Sequence, residues 1–80
     1  MTKNVVVYTL EFCPKCEQVK ETFAREGVKF LTKDLEDPRV MADLLFEDIV
    51  VREAPVVQID GNFFTSEKII DIQKLAMLAL

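Results

Sequence analysis

The sequence predicts an α/β fold with the element order β-α-β-α-β-β-α, a four-stranded mixed sheet carrying three helices. Three observations predict it. A β-branched and aromatic run, Val5-Val6-Val7-Tyr8, leads directly into apolar residues at helical spacing. A second strand-like stretch and a second helical stretch follow behind the stop at Gly27. Asp60-Gly61 then stands between two strand-like runs, the strongest short hairpin signal in the chain. Eighty residues hold one small domain, expected to span 1–80, with a folding margin of about 4–12 kcal/mol.

Each element has a local reason. The continuous apolar run at Val5–Tyr8 suits a strand covered on both faces. Cys16, Val19 and Phe23 recur at steps of three and four while Glu17, Gln18, Lys20 and Glu21 fill the other side, which predicts an amphipathic helix over about 14–26. Pro14 fits its first position, where a missing amide hydrogen costs nothing, and Gly27 can close it in a left-handed conformation. Val28, Phe30, Thr32 and Asp34 alternate with their neighbours, placing strand two near 28–34. Asp37-Pro38 is a cap followed by a first-position proline. Val40, Met41, Leu44, Leu45 and Ile49 then predict a second helix to about residue 50, ending near Arg52. Pro55–Ile59 and Asn62–Thr65 form the hairpin strands, with Phe63 and Phe64 split by strand alternation, one in the core and one outside. Ser66 is expected to cap a last helix whose face is Ile69, Ile72, Leu75, Ala76 and Ala79. The first βαβ unit requires two parallel strands, and the hairpin adds antiparallel ones.

Composition narrows the function. Fourteen acidic residues against ten basic give a net charge of −4, with no run of Lys or Arg, so nucleic acid is not an expected partner. No apolar stretch approaches the length needed to span a bilayer, and the chain turns polar at Glu11 before a signal-peptide core could form; no membrane partner and a cytoplasmic location are expected. The chain has no His, which removes Cys–His dyads, imidazole bases and histidine metal ligands. Its chemistry must come from thiols, carboxylates, Lys or Tyr.

Cys13-Pro14-Lys15-Cys16 stands where the first strand gives way to the first helix, and a spacing of three on a helical turn brings both sulfurs to one side. A first turn supplies the Cα separation a disulfide requires. Cys13 would lie at the positive end of the helix, near unpaired amide hydrogens that stabilise a thiolate and lower its pKa. Cys13 is therefore the expected nucleophile and Cys16 the resolving thiol. Lys15 would support the thiolate, whereas Glu11 and Glu17 would oppose it. A CxxC beside a βαβ pattern is a redox signature, but it is also half of a zinc site. With no further Cys and no His, a metal-binding module would need carboxylates or a second subunit, for zinc or an intersubunit iron–sulfur cluster. Two small buried thiols in a purely structural domain are the third reading.

Across nearly its whole length the chain resembles the glutaredoxin and small thioredoxin-like redoxin family. The resemblance rests on Val5-Val6-Val7-Tyr8-Thr9 leading into Cys13-Pro14-Lys15-Cys16, on Ala54-Pro55-Val56-Val57, and on the Asp60-Gly61 hairpin before a final helix. It implies a thioredoxin-like α/β fold and thiol–disulfide oxidoreductase activity, with a redox-active Cys13–Cys16 disulfide and no separate cofactor. It also implies that Pro55 is cis and faces the motif, and that Ala54 offers its backbone to an extended substrate segment. Pro14 would support the motif, and Lys15, Phe12 and the Phe63-Phe64 pair would form the rim a partner touches. The sequence departs from glutaredoxins at Leu10, where a basic residue is usual, at Thr65-Ser66, where a Gly-Gly pair is usual, and at Glu67-Lys68-Ile69, where an acidic pair holds glutathione. The resemblance therefore does not carry the glutathione contacts over. No carboxylate lies in the Val5-Val6-Val7 run to act as a base for Cys16. The implied partners are disulfide-containing proteins and a thioredoxin-reductase-like or ferredoxin-linked reductase, as in redoxins that serve ribonucleotide reductase. A monomer is expected.

Overall fold

β1 (Val5–Thr9) lies inside the sheet because its side chains are apolar in both directions: Val7 is fully buried, Val5 and Tyr8 nearly so. The computed structural model describes residues 3–80. The other elements are α1 (Pro14–Arg25), β2 (Leu31–Asp34), α2 (Pro38–Phe46), β3 (Val56–Ile59), β4 (Asn62–Phe64), a short 3-10 turn (Ser66–Lys68) and α3 (Ile72–Leu78). The strand order is β2-β1-β3-β4, with β1 parallel to β2 and antiparallel to β3, and β3 antiparallel to β4. This is the mixed four-stranded sheet with three helices that the sequence predicts.

Strand alternation divides the core in two. Val5, Val7, Val57 and Ile59 pack with Val19 and Phe23 of α1, with Leu75 and Ala76 of α3, and with Ala79 at its C-cap. Tyr8 and Val56 pack with Leu35 and Leu44, the latter the fully buried residue of α2. Phe63 and Phe64 do point opposite ways, but both faces of the sheet are covered. Phe63 therefore packs on the α2 side and Phe64 on the α1/α3 side, both half-buried, and neither lies outside. No helix among the described residues is long and apolar enough to cross a membrane.

Several boundaries differ from expectation. Strand two pairs only from Leu31, because the Val28 amide closes α1 by donating to the Phe23 carbonyl at 2.8 Å. α2 stops at Phe46 rather than near Arg52. Asp48 takes a left-handed φ of 58° there, and the Ile49 amide turns back to the Leu44 carbonyl at 2.9 Å. Ser66 does not cap the last helix; it opens the 3-10 turn, and α3 is capped by Asp71, whose carboxylate accepts from the Lys74 amide at 3.2 Å.

Candidate active site

The turn from β1 into α1 sets Cys13 at the N-cap of the helix, with extended backbone (φ −110°, ψ 102°) and Pro14 as the first helical residue. Proline loses nothing there, since the first-turn amides have no partner within the helix. The Cys13 sulfur takes the capping role usually filled by a side-chain oxygen: it accepts a hydrogen bond from the Cys16 amide at 3.1 Å. An amide hydrogen aimed at the sulfur and the positive helix end both favour a thiolate there once the pair is reduced.

Cys13 and Cys16 are disulfide-bonded, with Cα atoms 5.2 Å apart. Their environments differ. Cys13 is half-buried and reachable, whereas Cys16 is 1% exposed and shares the inner face of α1 with Val19 and Phe23. An attacking thiol must be accessible, and a thiol that only meets its neighbour's sulfur need not be.

Phe12 sits just ahead of the nucleophile with φ 56°, an uncommon conformation for a non-glycine residue, and its ring is 98% exposed. With Glu11, Cys13, Pro14 and Glu17 it lines an open groove of about 730 Å³ at the motif. Glu17 is paired with Lys20 at 3.1 Å on the outer face of α1.

On the other side of Cys13 lies the loop entering β3. The Ala54–Pro55 peptide is cis, Pro55 is fully buried, and the Ala54 carbonyl oxygen is 3.9 Å from the Cys13 sulfur. Phe12, Cys13 and Pro14 thus line the groove, while the Cys13 sulfur itself meets Cys16 and the Ala54 carbonyl that precedes the cis proline. Lys15 belongs to the same cluster, but its ammonium is turned across it, donating to the Ser66 carbonyl at 2.8 Å. Ser66 was not among the residues expected here. The available signal was its place at Thr65-Ser66, where glutaredoxins have small glycines; a buried hydroxyl there, 1% exposed, needs a partner, and it donates to the Ala54 carbonyl at 3.2 Å. Among the described residues, no three His, Cys, Asp or Glu side chains converge as a metal-holding group.

Residues 5–64 match the family described as glutaredoxin. The chain is 33% identical over 73 residues to the N-acetyl-S-hydroxy-L-cysteine reductase of Bacillus subtilis, a match covering 90% of this chain and 78% of that protein. Among solved structures, it is similar to the thioredoxin-like protein BC3987, with a TM-score of 0.74 and 29% identity over 94% of this chain and 99% of the other. A mutant of that protein superposes with a TM-score of 0.73 at 28% identity, covering 94% of this chain and 97% of the mutant. The fold is thioredoxin-like.

Proposed function

The chain belongs to the glutaredoxin family, and from that premise we propose that it is a dithiol carrier that reduces disulfides in proteins and is itself re-reduced by a flavin- or ferredoxin-linked reductase rather than by glutathione. The observation that carries the reading is the asymmetry of the two sulfurs: Cys13 is accessible and capped by an amide hydrogen, and Cys16 is buried one turn behind it.

The reduced Cys13 thiolate attacks one sulfur of the substrate disulfide; a mixed disulfide forms and the first substrate thiolate leaves. The deprotonated Cys16 sulfur attacks Cys13, the Cys13–substrate bond breaks, and the second substrate thiolate departs. Two electrons have passed to the substrate, and the chain is left with its internal disulfide. The reductase returns two electrons, with two protons, to restore the dithiol. Ala54, beside the nucleophile, presents its backbone to an extended segment of the substrate, and Phe12 adds apolar contact at the groove. The absence of the usual glutathione-holding residues at Leu10, Thr65-Ser66 and Glu67-Lys68 supports a protein reductase as donor.

The Bacillus subtilis relative, named for reduction of an S-hydroxycysteine, favours a second substrate class with the same residues. Cys13 would attack a sulfenic sulfur, hydroxide would leave and be protonated to water, and Cys16 would resolve the mixed disulfide. Insulin turnover with dithiothreitol tests the main reading. Turnover by the native chain that vanishes in Cys13→Ser is expected. No turnover by the native chain overturns it; activity on a small sulfenic acid would then support the second class, and stoichiometric metal on protein purified without chelator would support the metal-binding module.

A further inference from the structure

The polar contacts between Lys15, Ser66 and Ala54 join three segments far apart in sequence, and their directions are forced by chemistry. An ammonium can only donate and a carbonyl can only accept. The Lys15 ammonium lies 2.8 Å from the Ser66 carbonyl and 3.4 Å from the Ser66 hydroxyl oxygen. The single hydroxyl hydrogen of Ser66 therefore goes to the Ala54 carbonyl, 3.2 Å away. That carbonyl is the group facing the Cys13 sulfur at 3.9 Å.

A free carbonyl in that position would favour the protonated thiol, which could donate to it, and would repel the thiolate. A hydroxyl hydrogen on the same oxygen offsets its negative end, and the ammonium behind the hydroxyl polarises it further. We infer that Lys15 and Ser66 are positioning residues for Cys13: a relay of donors from the Lys15 ammonium through the Ser66 hydroxyl fixes the Ala54 carbonyl and occupies it, so that the neighbouring sulfur is held as the thiolate. The inference rests on reading Cys13 as the attacking thiol. The other charged groups around it are Glu11 and Glu17, which line its groove, and, on the segments that carry Ala54 and Ser66, the exposed Arg52, Glu53, Glu67 and Lys68. None of these takes part in the relay.

The test is the pH dependence of Cys13 alkylation by iodoacetamide in the reduced native chain and its variants, read on the Cys13 peptide by mass spectrometry. In Ser66→Ala the midpoint is expected to rise by about half a unit to one unit, which lowers the alkylation rate on the acid side about 3- to 10-fold. Ser66→Thr, which keeps the hydroxyl, restores the native midpoint. Lys15→Met raises the midpoint in the native background and adds little in the Ser66→Ala background, because the path is already cut. An unchanged midpoint in folded Ser66→Ala overturns the inference. So does a Ser66→Thr midpoint equal to that of Ser66→Ala, or a Lys15→Met shift of equal size in both backgrounds, which would be charge acting through space. If Ser66→Ala does not fold, Lys15→Met is read at low and high salt: a shift that survives salt belongs to the relay, and one that salt abolishes overturns it. Alkylation needs no disulfide substrate, so loss of insulin turnover would count against the proposed function without bearing on the relay.

Discussion

Replacing Phe23 by alanine removes the side chain that fastens the cysteine-bearing helix to the sheet. Phe23 is fully buried on α1, and its ring meets Phe30 edge-on, with centroids 5.9 Å apart and planes at 74°. A buried aromatic takes about 150–250 Å² out of water. At about 25 cal/mol per Å² the ring contributes about 4–6 kcal/mol before alanine's own share is subtracted. Phe→Ala losses in packed cores run at about 3–5 kcal/mol, which agrees. Against a total margin of about 4–12 kcal/mol for a chain of this length, the variant is left near the edge of folding. At about 4–8 °C per kcal/mol, the midpoint of thermal unfolding should fall by about 12–40 °C. Urea unfolding followed by far-ultraviolet circular dichroism checks the value, with Phe30→Leu as a milder companion expected to lose about 0.5–1.5 kcal/mol from the edge contact. Cys16 and Val19 share the buried face of the same helix, so Phe23→Ala should also loosen the thiol pair. A loss below about 1 kcal/mol at unchanged denaturant slope would refute the assignment of Phe23 to the core.

Tyr8 is the only tyrosine of the chain, so phenolate absorbance reports it alone. Burial first, then the carboxylates of Asp43 and Glu47, raise its pKa above the usual value of 10.0. The folded chain therefore holds the phenolic proton to higher pH than the unfolded chain. The stability this gives is complete below the unfolded pKa and is lost as pH rises through the folded one. Spectrophotometric titration should show a late, upward-shifted phenolate midpoint that reverts in urea, and stability against urea should fall above pH 10 in native protein but not in Tyr8→Phe. Gly27 closes α1 at φ +78°, and a Cβ added there would meet nothing within 4 Å. Gly27→Ala should thus cost only the backbone penalty, about 1–2 kcal/mol in urea unfolding, and Gly27→Asn less.

The features that could be read from the sequence are those whose causes are local. Pro14 at the start of α1, Asp37-Pro38 at the start of α2 and Asp60-Gly61 in the hairpin each act within a few residues, and all three stand where expected. The end of α2 was not legible because an aspartate does there what a glycine does in α1. Gly27 and Asp48 both adopt left-handed backbone, and Val28 and Ile49 make the same return hydrogen bond five residues back. Only the glycine announces itself. The start of α3 failed for the opposite reason. Ser66 has the chemistry of a helix cap, but its hydroxyl finds the Ala54 carbonyl, twelve residues away, and Asp71 does the capping instead. The two sulfurs were evident from their spacing. Lys15 and Ala54 were singled out with them, but Ser66 and its contacts to both were not, since those three residues meet only after the chain has folded.

The interior position of β1 has a consequence for the order of assembly. Its parallel partner β2 is complete by Asp34, but its antiparallel partner β3 begins only at Val56. During synthesis the βαβ unit can therefore form while one side of β1, carrying Val5, Val6 and Val7, still has unpaired amides and carbonyls. Such an edge is a template for pairing with another chain until the later strand arrives. A nascent chain stalled before the hairpin would expose its most apolar strand, and the hairpin that completes the redox site also removes that hazard.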